Sequence, residues 1–452
     1  MPDKFARIDV PPPGPRSRAL VAAEKPHLAP GSQHVWQLAG VAVERGQGAL
    51  LEDVDGNRYI DLVAGIGVAS LGYGHPRQAR AIAEQAEKVI VGSYTTAPRV
   101  SLLERIARLT PANANLTRTQ LYSSGAEAVE SALRLARSYT KKFEVVSFWG
   151  GFHGKTQGVL GLMGSDFKHG LGPQQPGLHL VPYADCYRCP LKTSYPGCGL
   201  ACVDFMRQAL VRQTAGSVAA VLVEPIQGTA GNVVPPDDYL PAVKQVAREV
   251  GALFIADEMI TGFGRTGKAF GVEHSGVAPD IMTIGKGLGG GFPVTGVVST
   301  PEIVAADPWS RPSFSSSSFG GNPLAAAAAD AAVGAMVDED LIGNAERVGA
   351  GMLAQLRGFA DKFPFVGDVR GKGLMIGIDL VADKASRAPL SKKACEIIFK
   401  RAFARGVITM AYTPRWRVNP PLVLSADQAS EAVALLDEVF TEVTERGEWR
   451  IS

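Results

Sequence analysis

Apolar residues in this chain follow two alternating rhythms. Unbroken runs at 144–149, 218–224, 252–257 and 280–284 have the length of strands. Between them the spacing becomes helical. Over 126–140 the residues Val129, Ala132, Leu133 and Ala136 fall on one face. Such alternation predicts an α/β domain around a mostly parallel sheet. Toward the C-terminus, Ser425 and Gln428 are spaced as a capping box, ahead of a stripe of Val433, Leu436, Phe440 and Val443. A helix over 392–405 is expected to stop at Gly406. From about residue 340 the chain reads as a separate α+β unit. The first 30 residues carry Pro11, Pro12, Pro13, Pro15, Pro26 and Pro30, the pattern of an extended arm.

Composition narrows the possible partners. The chain has 452 residues, 46% hydrophobic and 20% charged, which is ordinary for globular proteins. Forty-six Lys and Arg against 44 Asp and Glu leave a net charge of +2, so nucleic acid is not expected as a partner. No run of about 18 apolar residues exists. The nearest approach, 324–337, is mostly alanine and contains Asp330. The N-terminus lacks the apolar segment of a secretory signal, so a cytoplasmic location without membrane attachment is expected.

Three polar residues end apolar runs: Glu224, Asp257 and, two residues past the run, Lys286. In an open parallel sheet, ligands bind beyond the carboxyl ends of the strands. Any one of these residues alone reads as a strand-terminating charge. Three in succession, with Gly285, Gly287, Gly289, Gly290 and Gly291 around the lysine, point to a site. Ser123-Ser124-Gly125-Ala126 leads into the helical stretch, and small residues at a helix start leave N–H groups open to an anion such as phosphate. Gly150-Gly151-Phe152-His153-Gly154-Lys155 holds an aromatic ring and an imidazole between glycines, and Phe152 can stack on a flat ring.

These segments resemble the class III pyridoxal-phosphate aminotransferases. The resemblance includes Asp257-Glu258, Thr261-Gly262-Phe263-Gly264-Arg265-Thr266-Gly267 and Lys286. It extends to Glu224-Pro225-Ile226-Gln227-Gly228, Phe319-Gly320-Gly321-Asn322-Pro323, and Arg417 with Pro420-Pro421-Leu422. It implies the aspartate-aminotransferase-like fold (fold type I), in which residues 70–340 form a large domain on a mostly parallel seven-stranded sheet. The smaller α+β domain would be assembled from 1–69 and 341–452. It further implies a homodimer or dimer of dimers with active sites at the subunit interface.

By the same resemblance the cofactor is pyridoxal 5′-phosphate. Lys286 would hold it covalently and then act as general base. Asp257 would pair with the pyridine nitrogen and keep the ring protonated. Phe152 would stack on the ring, Ser124, Gly125 and Ala126 would meet the phosphate, and His153 and Glu224 would lie beside the cofactor. Ser318 stands where the family usually has a threonine that reaches the phosphate of the other subunit. Arg417 matches the arginine that binds an α-carboxylate, a task suited to its fork of donors.

Three departures bear on substrate. Ornithine- and 4-aminobutyrate-type members usually carry arginine at Lys155, and many carry glutamate at Thr229. Ile260 replaces a glutamine found in some members. Lys155 offers a point charge rather than a fork, and Thr229 cannot pair with Arg417. Together they favour a terminal-amine donor: an ω-amino acid such as 4-aminobutyrate, a diamine or a primary amine. The acceptor would be a 2-oxo acid, pyruvate or 2-oxoglutarate. A racemase, epimerase or decarboxylating enzyme of the same family is the nearest competing expectation; a catalytically silent scaffold is the other.

Cys186, Cys189, Cys198 and Cys202 cluster in a segment that also holds Pro190, Pro196 and Gly197, the composition of an irregular loop. Metal ligation, disulfides and free thiols all fit this spacing. No metal is assigned to the catalytic site. Cys395 reads as a core thiol.

Overall fold

Runs rich in valine, isoleucine and alanine become the middle of a seven-stranded sheet. In chain order its strands are β1 (Arg118–Tyr122), β2 (Glu144–Phe148), β3 (Leu178–Val181), β4 (Val218–Val223), β5 (Leu253–Asp257), β6 (Ile281–Ile284) and β7 (Thr295–Ser299). The spatial order is β1-β7-β6-β5-β4-β2-β3. Strands β6, β5, β4, β2 and β3 run parallel. Strand β7 is antiparallel to both of its neighbours. Every residue of β2, β4, β6 and β7 is buried, which is why their sequences do not alternate.

The computed structural model describes residues 4–451. The chain divides into two compact units: Arg77–Ile342, which contains this sheet, and a second unit made from the chain up to Pro76 together with the chain from Gly343. In the first unit helix α1 (Gly125–Thr140) packs Val129, Ala132, Leu133 and Ala136 against Ala220, Leu222, Ile255 and Val297 of the sheet. The alanine-rich segment is the helix Pro323–Asp338, capped by the Asn322 side chain accepting from the Ala325 N–H at 2.8 Å. Its Asp330 accepts from Arg105 Nε and Ser101 Oγ, each at 2.8 Å, which satisfies a charge in an otherwise apolar helix.

The second unit holds two small sheets. One joins Val43–Gln47, Leu50–Asp53, Arg58–Asp61 and Val407–Ile408; the other joins Val366–Lys372, Met375–Asp383, Ala388–Pro389 and Arg415–Val418. The capping box forms: Ser425 Oγ accepts from Gln428 N at 3.1 Å, and Gln428 Oε1 from Ser425 N at 3.0 Å. The helix it opens, Ala426–Glu445, buries Val433, Leu436, Phe440 and Val443. Phe440 stacks among Phe359, Phe363, Phe365 and Trp416.

Two expectations need correction. The helix after Ser391 spans Lys392–Phe403 and ends before 405; Gly406, at φ +84°, turns the chain where a Cβ would lie 2.8 Å from that of Ala6. The N-terminal arm is not wholly extended, since Pro15–Glu24 is helical. Proline at the first helical position costs no hydrogen bond. The missing cap is supplied from a distance, by Asp55 accepting from Arg16 N at 2.8 Å and Ser17 N at 2.9 Å. Ahead of this helix, Glu431 accepts from the N–H groups of Phe5 and Ala6. Among the described residues no helix is long and apolar enough to cross a membrane.

Candidate active site

The chemistry-bearing residues of the first unit leave the sheet at one edge. Register aligns Val223 with Ala256 and Asp257 with Thr283. Glu224 and Asp257 therefore emerge level with each other, and Lys286 follows two residues beyond the neighbouring strand.

Asp257 is buried and held by three donors. His153 Nδ1 donates to Oδ2 at 2.6 Å; Thr283 Oγ1 and the Met259 N–H donate to Oδ1 at 3.0 and 3.2 Å. His153 is fixed in turn, with Nε2 3.0 Å from the Ser147 hydroxyl. The carboxylate and imidazole are each 1% exposed, so their bond forms almost without water.

Glu224 ties two loops together. Its Oε1 accepts from Phe152 N and its Oε2 from Gly228 N, both at 2.9 Å. Burial raises its pKa above the usual carboxylate range, and Asp257 adds to this, while His153 and the two N–H donors pull it back. Tyr183 extends the wall by donating to the carbonyls of Glu224 and Pro225 at 3.0 and 3.1 Å. Glu258, next to Asp257, lies wholly inside and accepts from Gly271 N and Val272 N at 2.8 Å, and from the Thr261 hydroxyl. Burial pushes its carboxyl up to about 7.

Lys286 opens a single tight helical turn, Lys286–Gly289, with its own φ at +41°. A non-glycine residue in that region is strained, a feature that gathers at functional sites. Met259 links this turn to the start of α1. Its sulfur lies 2.5 Å from where a Cβ on Gly285 would stand and 3.5 Å from one on Gly125. At α1 the Ser124 side chain makes no cap hydrogen bond, and Ser124 O accepts from Thr295 Oγ1 at 3.0 Å. Gly154 sits against the same helix start, at φ +126°, where a Cβ would approach that of Ala126 to 2.5 Å.

The remaining expected residues are more dispersed. Phe152 is half-buried and meets Phe167 edge-on at 5.7 Å. Lys155 is exposed, its Nζ 4.8 Å from the centre of the Phe167 ring. Thr229 is half-buried in the turn after Gly228, and Ile260 packs beside Gly228. Ser318 is exposed, next to Phe319, which is 63% exposed. Arg417 belongs to the second unit, on strand Arg415–Val418, paired with Gly377. Ser147, Thr283, Met259 and Tyr183 were not anticipated. Thr283 is the polar interruption in an otherwise apolar strand, and Ser147 sits between Val146 and Phe148 in a strand that opens with Glu144; no other local pattern marks them.

Of the four clustered cysteines, Cys186, Cys189 and Cys198 lie on the loop; Cys202 falls in the helix Ala201–Gln213. All four are free thiols. Among the described residues no group of three or more His, Cys, Asp or Glu is placed to hold a metal ion. Cys395 is buried in its helix as expected, and burial pushes its thiol up to about 12.

Residues 31–440 match the family model described as aminotransferase class-III. The chain is 34% identical over 414 residues to a leucine/methionine racemase of Thermococcus litoralis, covering 90% of this chain and 92% of that one. It is 34% identical over 413 residues to the 4-aminobutyrate aminotransferase of Mycobacterium leprae, covering 88% and 91%. An amine transaminase from an uncultivated Pseudomonas species, solved in a PLP-bound form, superposes with a TM-score of 0.86 at 31% identity, covering 92% of this chain and 98% of that one. With its seven-stranded sheet, its buried aspartate and its strand-end lysine, the chain belongs to the class III aminotransferases, enzymes of fold type I that depend on pyridoxal phosphate.

Proposed function

We propose that the protein moves an amino group from a terminal amine to a 2-oxo acid in two half-reactions at one site. The observation that carries this reading is Asp257, a buried carboxylate held by three donors, one strand away from Lys286. The residues fit the cofactor. The open N-terminus of α1 suits a phosphate, Asp257 suits a protonated ring nitrogen, and Phe152 suits a flat ring. When bound, pyridoxal phosphate supplies the carbonyl that takes up the amino group and an electron sink for the substrate carbon.

The protein's own residues do the rest. Lys286 Nζ would anchor the cofactor, then take the proton from the donor carbon and deliver it to the carbon two bonds away, across the nitrogen. Asp257 keeps a negative charge against the ring nitrogen, and His153 fixes that carboxylate. Gly125 and Ala126 N–H groups and the positive end of α1 hold the phosphate. Glu224 sets Phe152 and Gly228 in place through its two oxygens. Arg417 binds the α-carboxylate of the oxo acid through paired N–H bonds. In a homodimer or a dimer of dimers, the exposed Ser318 reaches the phosphate held by the other subunit.

Donor selection rests on Lys155, Thr229 and Ile260. Lys155 is exposed over Phe167 and gives no bidentate clamp for a second carboxylate. Thr229 carries no charge to hold Arg417 back. Ile260 adds an apolar wall beside Gly228. This set supports 4-aminobutyrate and related ω-amino acids, diamines or simple primary amines as donors, with pyruvate or 2-oxoglutarate as acceptor.

Likeness to a leucine/methionine racemase supports a second reading. There Lys286 would take the proton from one face of the substrate carbon, and an acid on the other face would return one. Single amines and amino acids added to the cofactor-loaded enzyme without oxo acid separate the two. About one equivalent of carbonyl product per site, with loss of the yellow band, establishes transfer and names the donor. Scrambled stereochemistry with no carbonyl product establishes racemisation and overturns the proposal.

A further inference from the structure

Ahead of the helix Ala201–Gln213, four thiols surround one small cavity. Cys186, Cys189, Cys198 and Cys202 line it with Tyr183 and Tyr195, and its volume is about 20 Å³, room for no more than a water molecule. None of the four is paired, and they differ in access: Cys186 is exposed and the other three are half-buried. Cys186 and Cys189 stand at the two ends of a turn through Tyr187 and Arg188. A turn of that kind brings its end Cα atoms within about 7 Å, close to the span a disulfide bridges.

The two thiols also differ chemically. Cys189 Sγ lies 3.3 Å from Thr193 Oγ1. Although burial works against it, the Thr193 hydroxyl and the N–H groups of Thr193, Leu191 and Lys192 lower its pKa. Such donors favour the thiolate, the form that attacks. Burial, with the neighbouring thiols Cys198 and Cys189, pushes Cys186 up to about 11. One thiol is prepared as nucleophile, and the other stays protonated beside it.

We propose that Cys186 and Cys189 form a dithiol site that hydrogen peroxide oxidises, with Cys189 attacking the oxidant and Cys186 closing a disulfide. Cys189 thiolate attacks one peroxide oxygen; the O–O bond breaks, a sulfenic acid forms and hydroxide leaves. Cys186 sulfur then displaces the sulfenic oxygen as water, and the S–S bond forms. Overall two thiols and one peroxide give one disulfide and two waters. The site lies apart from Lys286 and Asp257 in sequence and does not depend on the transferase reading.

The test uses the full chain loaded with cofactor, reduced, desalted and treated with graded hydrogen peroxide, then digested with trypsin without reductant. Cleavage after Arg188 separates the two cysteines, so the disulfide is read as two tryptic peptides joined across that cut. These joined peptides are expected at peroxide doses that leave the buried Cys395 unmodified. Cys186→Ser is expected to leave a sulfenic acid on Cys189 that dimedone traps. Cys189→Ser is expected to slow loss of the Cys186 thiol at least tenfold, with the yellow cofactor band reporting that each variant is folded. Survival of both thiols for as long as Cys395 overturns the proposal. So does preferential pairing of Cys198 with Cys202, or one zinc or iron per chain in fresh protein.

Discussion

Replacing His153 by alanine removes the donor at Asp257 Oδ2 and leaves the two donors at Oδ1. The lost bond is 2.6 Å long, with both groups 1% exposed. A hydrogen bond to a charged group is worth about 1.5–3 kcal/mol, so the half-reaction rate is expected to fall about 10- to 150-fold. Thr283→Val provides the internal comparison. It removes one of two donors from Oδ1, and the Met259 N–H stays at 3.2 Å. Its longer bond to the same carboxylate belongs at the low end of that range, about 1.5 kcal/mol, or about tenfold in rate. The assay is stopped-flow loss of the yellow band with one amine, at saturating cofactor, so that weaker binding does not pass for slower chemistry. Cofactor affinity is measured separately by titration. A His153→Ala enzyme that reacts within twofold of the unaltered one, or a Thr283→Val enzyme that is the more damaged of the two, refutes this role for the His153–Asp257 bond.

Arg417→Ala is expected to slow the oxo-acid half-reaction about 10- to 100-fold, the loss of a charge-assisted pair, and to leave the amine half-reaction nearly unchanged; equal losses in both refute its assignment. Gly154→Ala forces a Cβ toward Ala126 at a φ of +126°, strain of about 1–3 kcal/mol. Cofactor affinity by titration is expected to drop by about tenfold or more, and an unchanged affinity would separate the start of α1 from phosphate binding. Glu258 has a folded pKa raised from 4.5 to about 7. Folding therefore favours its protonated form, and stability is lost as pH rises from about 4.5 through about 7, by about 3 kcal/mol in all. Melting temperature measured from pH 5 to 8 is expected to fall less steeply in Glu258→Gln than in the unaltered protein; parallel slopes refute this.

The buried strands could be read from the sequence because burial on both faces leaves no polar code to decipher. Runs 218–224 and 280–284 differ from the observed β4 and β6 by a single residue at one end. Strand β1, Arg-Thr-Gln-Leu-Tyr, escaped notice because only Leu121 and Tyr122 of it are buried. The same logic divides the site. Asp257, Glu224 and Lys286 stand out because charges at the ends of apolar runs need a reason. Ser147 and Thr283 look like minor imperfections in a strand, and their purpose is set by partners elsewhere in the chain. The His153–Asp257 bond spans 104 residues, a distance at which no local pattern operates. The helix at Pro15–Glu24 is obscured by the prolines ahead of it and by Pro15 itself, because its cap comes from Asp55 and not from its own first turn.

The antiparallel strand β7 also has a consequence for synthesis on the ribosome. Strand β1, which leads directly into α1, joins the sheet only through β7, and its partners there are Thr295–Ser299. The anchor on Ser124 O is Thr295 as well. A nascent chain that has not yet emerged past Ser299 therefore holds Asp257 and Lys286 while β1 has no strand to pair with and Ser124 O lacks its Thr295 donor. Vectorial emergence makes the parallel centre of the sheet available first and capture of the cofactor one of the last events in this unit. A stop codon placed before β7 would leave a chain with every residue assigned to the ring and without the strand that ties β1, and through it the phosphate end, to the sheet.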